Sequence, residues 1–437
     1  MSLPQPPWLR AVVRWTRPLR TAAGLRVRII AASAWRRVLR RTTFIAITGS
    51  CGKTTAKELL AHVLGEKARS ICNFRSVNDI WEVTRVVLRC RPWHRYAIAE
   101  IATAAAGDVE RSARVFRPDV AVMLAVRLEH YASFRTLENV AAEKAALLRY
   151  VRPGGTVYLN ADDASVAAMD APKRATVVRF GCAPEAHVRA TDVVSAWPQR
   201  LRFRVTSRRG CGAIETQVLG GHLMTPVLAA AAVSLGCGYA FDDVAAAIRR
   251  FPGFPGRMMP VELPGGVAVI RDEYKCTPHS VEAAFDEVRR ASAKRKILVF
   301  GDISDTPRSD RERQTRIGRQ AAGTFDVLLF VGEHASFAAR SAVRQGAPEE
   351  CVRTFRSVVE CADYLRGELA EGDLVLVKGT GRNHMARVVF GLAGRITCDL
   401  PACRKKMLCD SCPELGAGAA ALSLVRSFPE LNADSTR

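Results

Sequence analysis

From Thr43 onward, short runs of apolar residues alternate with amphipathic stretches. Phe44-Ile45-Ala46-Ile47 has the pattern of a buried strand, and Thr54 to Leu64 that of the helix after it. Tyr96-Ala97-Ile98-Ala99 and Val120-Ala121-Val122-Met123-Leu124 are further buried strands, each followed by helical sequence. Strands without polar alternation are covered on both faces, so their alternation with helices predicts an α/β fold with a doubly wound, mostly parallel sheet. Residues 175–219 are richer in β-branched residues and predict a small strand-rich insertion. Pro and Gly in Phe251-Pro252-Gly253-Phe254-Pro255-Gly256 break both periodicities and predict a boundary. A second α/β unit follows, with strands at Ile297-Leu298-Val299-Phe300, Val327-Leu328-Leu329-Phe330-Val331 and Leu374-Val375-Leu376-Val377. The expected parts are an N-terminal segment 1–42, a central domain 43–253, a smaller Rossmann-like C-terminal α/β domain 254–395 and a tail 396–437.

The first segment has the pattern of two short helices broken near Pro18 and Gly24. In the second, Leu25, Ile29, Ala32, Trp35 and Leu39 recur at helical spacing, with Arg26, Arg28, Arg36, Arg37, Arg40 and Arg41 around them. Two readings fit: a helix lying on an anionic membrane surface, or a helix packed on the protein with a solvated basic face. Charge bears on both. The 437 residues carry 65 Lys+Arg against 43 Asp+Glu, a net +22, and ten Arg with no acidic residue fall in residues 1–43. Such a balance favours anionic partners. Nucleic acid is not expected among them, because no basic and aromatic platform is recognisable. The 13 Cys are scattered and odd in number, which fits a reducing cytoplasm better than a disulfide framework. No signal peptide and no apolar run long enough to span a bilayer is expected.

The candidate chemistry begins at Thr48-Gly49-Ser50-Cys51-Gly52-Lys53-Thr54-Thr55, between a buried strand and a helix. Glycines let backbone N–H groups turn toward phosphates at a helix N-terminus already favourable to anions. Lys53 would reach the β- and γ-phosphates of ATP, and the Thr54 hydroxyl would bind Mg²⁺. Gly49, Ser50, Cys51, Gly52 and Thr55 complete the cradle. Ile47 stands where the usual P-loop has its first glycine.

That form of the loop resembles the one of the Mur ligases and folylpolyglutamate synthetases, and further segments continue the likeness in order. They are Val77-Asn78-Asp79-Ile80, Ala97-Ile98-Ala99-Glu100, Gly107-Asp108-Val109, Val126-Arg127-Leu128-Glu129-His130 and Ala142-Glu143-Lys144-Ala145. Gly221-His222, Gly256-Arg257-Met258, Glu273-Tyr274-Lys275-Cys276-Thr277-Pro278, Phe300-Gly301-Asp302 and Val377-Lys378-Gly379 complete the series. The pattern is most similar to the D-alanyl-D-alanine-adding type. The resemblance implies a P-loop ATPase domain followed by a C-terminal ligase domain, using ATP and Mg²⁺. A carboxylate would be activated as an acyl phosphate and joined to an amino acid or dipeptide amine.

The same resemblance implies roles for particular residues. Glu100 and His130 would hold a second Mg²⁺ near the substrate carboxylate. Lys144 matches a lysine that some members carry as a carbamate; a surface lysine on helix Ala141–Tyr150 is the plain alternative. Arg257 resembles a phosphate-contacting arginine. Asp272 or Glu273 would meet the ribose hydroxyls, Lys275 would approach phosphate, and Lys378 would recognise phosphate or a substrate carboxylate.

Three departures stand out. About 43 residues precede the P-loop strand, fewer than a UDP-sugar-binding domain needs, so a non-standard acid is expected rather than UDP-muramoyl peptide. Ala104-Ala105, Ala125, Leu223 and Pro226 replace residues with which the family contacts nucleotide and substrate. The tail holds Cys398, Cys403, Cys409 and Cys412, either a structural Zn²⁺ site or four free thiols. The leading expectation is a cytoplasmic ligase, peripheral at the inner membrane face. The alternatives are a genuine peptidoglycan D-Ala-D-Ala-adding ligase, an enzyme completed by a partner subunit, and an inactive nucleotide-binding scaffold.

Overall fold

A computed structural model describes residues 22–127, 131–304, 308–398, 400, 403, 405, 407–418 and 421–423. Its first sheet is built from β1 (Thr43–Thr48), β2 (Ser70–Cys72), β3 (Tyr96–Glu100), β4 (Val120–Met123), β5 (Thr156–Asn160), β6 (Thr176–Gly181), β7 (Val188–Ala196), β8 (Gln199–Ser207) and β9 (Gly210–Glu215). The order is β2-β3-β1-β4-β5-β6-β7-β8-β9, parallel through β7 and antiparallel in the last two pairings. The β-rich stretch is therefore the far edge of the main sheet. Alternation along β1 shows why the strand is apolar throughout: Ile45 and Ile47 enter one core, Phe44 and Ala46 the other. Each buried large side chain contributes about 1.5–3 kcal/mol.

The second sheet comprises β10 (Met259–Leu263), β11 (Val267–Asp272), β12 (Arg295–Phe300), β13 (Val327–Val331), β14 (Val352–Phe355) and β15 (Asp373–Lys378). Its order is β10-β11-β15-β12-β13-β14, with only β10 and β11 antiparallel. One apolar core runs from the first sheet through Phe251 and Met258 to Phe285 and Leu376 of the second unit, so the two units share buried surface. The carboxyl ends of β1 and β3 open toward this junction, where ligands of open α/β sheets bind.

Helix α1 (Ala22–Val38) revises the reading of the N-terminal segment. Its expected break at Gly24 is absent, and Gly24 is buried inside it. The helix packs on the protein against α3 (Ile80–Arg89) and α4 (Asp108–Phe116), which follow α2 (Lys53–Gly65). Two of its arginines point inward. Arg36, 3% exposed, donates to the Phe116 and Arg117 carbonyls and to Asp119, each at 2.9 Å. Arg28 reaches Thr84 Oγ1 at 2.7 Å, and Trp35 donates to the Cys90 carbonyl at 2.8 Å. The first of the two expected helices lies outside the described residues. Among the described residues, no helix is long and apolar enough to cross a membrane.

Candidate active site

The glycine loop joins β1 to α2 and is pinned to the end of β4. Ser50 N donates to the Ala125 carbonyl at 2.7 Å, and Ser50 Oγ meets the Arg127 carbonyl and amide at 2.9 Å each. Gly49 has φ +149°, and a Cβ there would stand 2.9 Å from Leu124 Cβ. Gly52 caps α2 with φ +78°, and its Cβ would stand 3.2 Å from Pro226, which lies over the loop. Only glycine adopts this backbone freely. Lys53 begins α2, buried, and donates to the Gly49 carbonyl and to the Ser50 carbonyl at 3.4 Å.

Thr54, one residue on, points its hydroxyl across to β3. Thr54 Oγ1 donates to Glu100 Oε2 at 2.9 Å, while Asn78 Nδ2 donates to Glu100 Oε1 at 2.8 Å. Glu100 is 2% exposed. Its backbone is clamped by Asn73, whose Oδ1 accepts from Glu100 N at 2.8 Å and whose Nδ2 donates to the Val77 carbonyl at 2.7 Å. Lys57 is fully buried and steadies the same loop through the Asn73 and Arg75 carbonyls and Glu58, at 2.6–2.7 Å. Asn73 and Lys57 carried no sequence signal; Asn78 lay in a family-like segment but had no assigned role.

From the second unit, Arg257 Nη2 reaches Thr54 Oγ1 at 3.5 Å, and its guanidinium lies 5.0 Å from the Tyr274 ring centre. Tyr274 hydrogen-bonds Ser76 on the facing loop. These elements border a cleft of about 1680 Å³ lined by Ser50 to Thr55, Asn78, Glu100, Arg257, Asp272 and Lys275. That volume exceeds the roughly 300–1,000 Å³ of a typical small-molecule pocket, leaving room for more than one substrate. His222 also lines it, open to cleft water; the crowding walls, then the charges of Lys378 and His279, hold its imidazole below the ordinary range. The replaced positions Ala104, Ala125, Leu223 and Pro226 are cleft wall.

Four expectations change. Glu273 turns away from the cleft: it accepts from Arg271 at 2.6 and 2.9 Å inside the protein. Asp272 and Glu273 are consecutive in an extended segment, so their side chains leave on opposite faces. Lys378 is fully buried instead of presented to a ligand. It neighbours Asp272 in the β11–β15 register and donates to Asp272 Oδ2 at 2.6 Å. Lys144, on α5 (Leu137–Ala145), is fully buried rather than a surface lysine, and is not among the described residues lining the cleft. His130 lies outside the described residues. The tail, finally, belongs to the site. Cys403, Lys405, Met407 and Leu408 line the cleft, and Asp410 binds Arg271 at 2.7 and 3.0 Å.

A strand, glycine loop and helix, with a hydroxyl–carboxylate pair beneath an arginine from a second α/β unit, define a nucleotide-using enzyme whose site lies between two domains. The comparisons narrow this. Residues 47–234 match the Mur ligase middle domain, and residues 256–381 the Mur ligase glutamate ligase domain. The UDP-N-acetylmuramoyl-tripeptide–D-alanyl-D-alanine ligase of Mycobacterium tuberculosis H37Rv is 33% identical over 377 residues, 82% of this chain and 74% of that protein. The Escherichia coli K12 protein of the same name is 26% identical over 371 residues, 84% and 80% of the two chains. The fold matches MurF of Acinetobacter baumannii with a TM-score of 0.78 at 24% identity, over 85% of this chain and 81% of that one. It matches MurF of Thermotoga maritima in complex with ADP with a TM-score of 0.72 at 18% identity, over 85% and 84%. The chain belongs to the Mur ligase family, and it is an ATP-dependent, amide-forming ligase.

Proposed function

We propose that the chain joins the amine of a D-alanyl-D-alanine-type dipeptide to the carboxylate of a muramoyl peptide, at the cleft between its two units. The dipeptide and the peptide acid are those in the names of its relatives. The convergence of Thr54, Glu100, Asn78 and Arg257 at the glycine loop carries the reading. The residues present fit the groups implied: two loop glycines with positive φ, one of them without room for a Cβ, and hydroxyl and carboxylate oxygens of the kind Mg²⁺ prefers. Bound ATP supplies the phosphoryl group that activates the carboxylate, with magnesium neutralising its charge.

The chain's own residues do the positioning. Ser50 to Thr55 offer backbone N–H groups and the Lys53 ammonium to phosphate. Thr54 and Glu100 would hold magnesium; the family resemblance alone adds His130 and Lys144 as candidates for the second ion. Arg257 adds positive charge where phosphate charge shifts, and Lys275 approaches from the same wall. Asp272, fixed by Lys378 and by Met258 N at 3.2 Å, would accept from ribose hydroxyls. Catalysis then rests on orientation and charge neutralisation. A non-catalytic scaffold would have no use for an arginine brought from the second unit to the hydroxyl beside the glycine loop.

A second element follows from α1. Its outward face exposes Val27 (64%), Ile30 (69%) and Val38 (61%) beside the exposed arginines Arg26 and Arg37, and the exposed Arg40 and Arg41 follow its last turn. Apolar and cationic groups on one face suit an anionic lipid surface, which supports peripheral attachment of the enzyme at the inner membrane face.

The ligation is tested by incubating the full chain with Mg-ATP, D-alanyl-D-alanine and a muramoyl tripeptide, with and without its UDP group, and measuring product mass. The expected result is a product carrying one added dipeptide. Bound ATP with no product from either acid overturns the reading.

A further inference from the structure

Among the described residues no three His, Cys, Asp or Glu side chains converge to hold a metal ion, and the tail's Cys398, Cys403, Cys409 and Cys412 are free thiols. A larger unassigned feature lies at the other end of the first sheet, where its parallel strands begin. Arg40 and Arg41 lead into β1, Lys67 and Arg69 into β2, and Arg91 and Arg95 into β3. Arg117 leads into β4, Arg152 into β5, and Lys173 with Arg174 into β6. The strands start nearly flush: Ser70 and Thr43 both stand opposite Tyr96, and Val120 stands opposite Thr156, itself opposite Thr176. Backbone hydrogen bonds stitch the loops side by side. Arg95 N donates to the Arg69 carbonyl at 2.8 Å, Thr43 N to that of Arg95 at 2.9 Å and Asp119 N to that of Phe44 at 2.8 Å. Arg152 N donates to the Pro118 carbonyl at 3.0 Å and Gly154 N to that of Arg174 at 2.8 Å. The loops therefore form one continuous belt.

Residues 39–42, 66–69, 90–95, 117–119, 151–155 and 168–175 hold ten Lys or Arg against three acids. Two of the acids are occupied, Glu66 by Arg250 and Asp119 by Arg36 and Arg152. Arg40, Arg41, Arg69, Arg95, Arg117 and Arg174 are exposed and pair with no carboxylate among the described residues. Amid them Trp93 is 60% exposed. Helix α1 runs into the same edge, where Arg36 binds the Arg117 carbonyl and Arg37 and Val38 stay exposed. None of the belt lines the cleft. A broad cationic array with an indole at its surface suits an extended anionic surface rather than a small anion.

We propose that this edge docks on an anionic membrane and that docking leaves the cleft facing water. The proposal deepens the lipid reading of α1 and rests on it. Indoles settle at the lipid–water interface, and cations gain from the surface potential of anionic lipid. The belt supplies charge and Trp93 where the flank of α1 supplies aliphatic side chains, and the two act together at one corner of the molecule. The six residues of β1 separate the belt from the glycine loop by roughly 20 Å. The glycine loop and Glu100, at the carboxyl ends of β1 and β3, then lie on the side away from the bilayer. Acid and amine reach the cleft from solution, so the placement selects a water-soluble acid over one held in the same bilayer. That consequence rests on the ligase reading; the docking edge does not.

The test uses the full chain with vesicles of mixed phosphatidylglycerol and phosphatidylcholine, against phosphatidylcholine alone, at low salt. Amine acetylation read by mass spectrometry should slow at Lys67 and Lys173 with the anionic vesicles only, and stay unchanged at Lys275 in the cleft wall. Arg69→Glu, Arg117→Glu and Arg174→Glu combined, or Trp93→Ser alone, should lower vesicle partitioning at least about 10-fold at unchanged phosphate release. The footprint of the unaltered protein decides the matter where a variant fails to fold. Unprotected Lys67 and Lys173, or undiminished partitioning of the triple variant, overturns the edge. The lipid reading of α1 survives that result if Val27→Asp with Ile30→Asp still releases the protein. Protection of Lys275 overturns the orientation. Retention by duplex DNA with no binding to vesicles also overturns the proposal, in favour of nucleic acid. Absent turnover with the lysine footprint in place counts against the ligase reading and leaves the surface standing.

Discussion

Thr54 Oγ1 donates to Glu100 Oε2 at 2.9 Å, tying the first turn of α2 to the carboxyl end of β3. The pairing is built by the sheet: β1 and β3 are parallel neighbours, with Ile47 opposite Glu100, so the loop after one strand passes the last residue of the other. Neither side chain is exposed enough to owe its place to solvent. Glu100→Gln keeps the volume but sets an amide against the Thr54 hydroxyl or the Asn78 amide. It is predicted to cut substrate-dependent phosphate release at least about 100-fold, the scale of removing one preorganised charge. Circular dichroism should show the fold intact.

Arg257 touches both units, through Thr54 and through the face of Tyr274. Arg257→Met keeps much of the packing and removes the charge. The turnover number should fall by about two orders of magnitude, with a melting temperature within a few degrees of the parent. Steady-state kinetics beside a thermal melt separates this from a folding defect, which would lower both.

The tail is held by a buried charge cluster. Burial alone would raise the Asp410 carboxyl, but the Arg271 guanidinium, 1% exposed, holds it below the ordinary carboxylate range. Asp410→Ala removes one of the two buried carboxylates bound to Arg271 and should cost about 3–5 kcal/mol. Because the folded value lies below the unfolded one, Asp410's contribution is fully present above about pH 4 and is lost as pH falls through the folded value. The gap in melting temperature between parent and variant should therefore hold from neutrality to about pH 4 and close below it.

Much of this was legible in the sequence, for reasons that differ by element. The glycine loop has fixed spacing because backbone, ammonium and hydroxyl must meet one phosphate chain. The parallel strands read as apolar runs because both faces are buried. The inward arginines of α1 did not read: Arg36 finds the end of α4 and Asp119 some 80 residues on, and nothing local separates it from the exposed Arg37. For Asp272 and Glu273, strand alternation dictates that only one faces the cleft, but which one is decided by Arg271 and by Asp410, 139 residues from that arginine. The place of the tail in the cleft wall was hidden for the same reason. Asn73 escaped notice because an asparagine that clamps a backbone looks like any loop asparagine.

The outward face of α1 predicts lipid binding. Full-length protein should sediment with phosphatidylglycerol vesicles at low salt and release as salt rises past physiological strength, where charge screening shortens to about 8 Å. Val27→Asp with Ile30→Asp should abolish sedimentation without changing turnover. Undiminished binding by that variant would contradict the assignment of this face.

The most direct test of the central claim is phosphate release from Mg-ATP by the unaltered protein and by Lys53→Ala, in the presence of D-alanyl-D-alanine and a muramoyl tripeptide. Release that requires both substrates and falls to background in the variant is the predicted result. Release that ignores the substrates, or that survives loss of Lys53, would contradict a ligase working at the glycine loop.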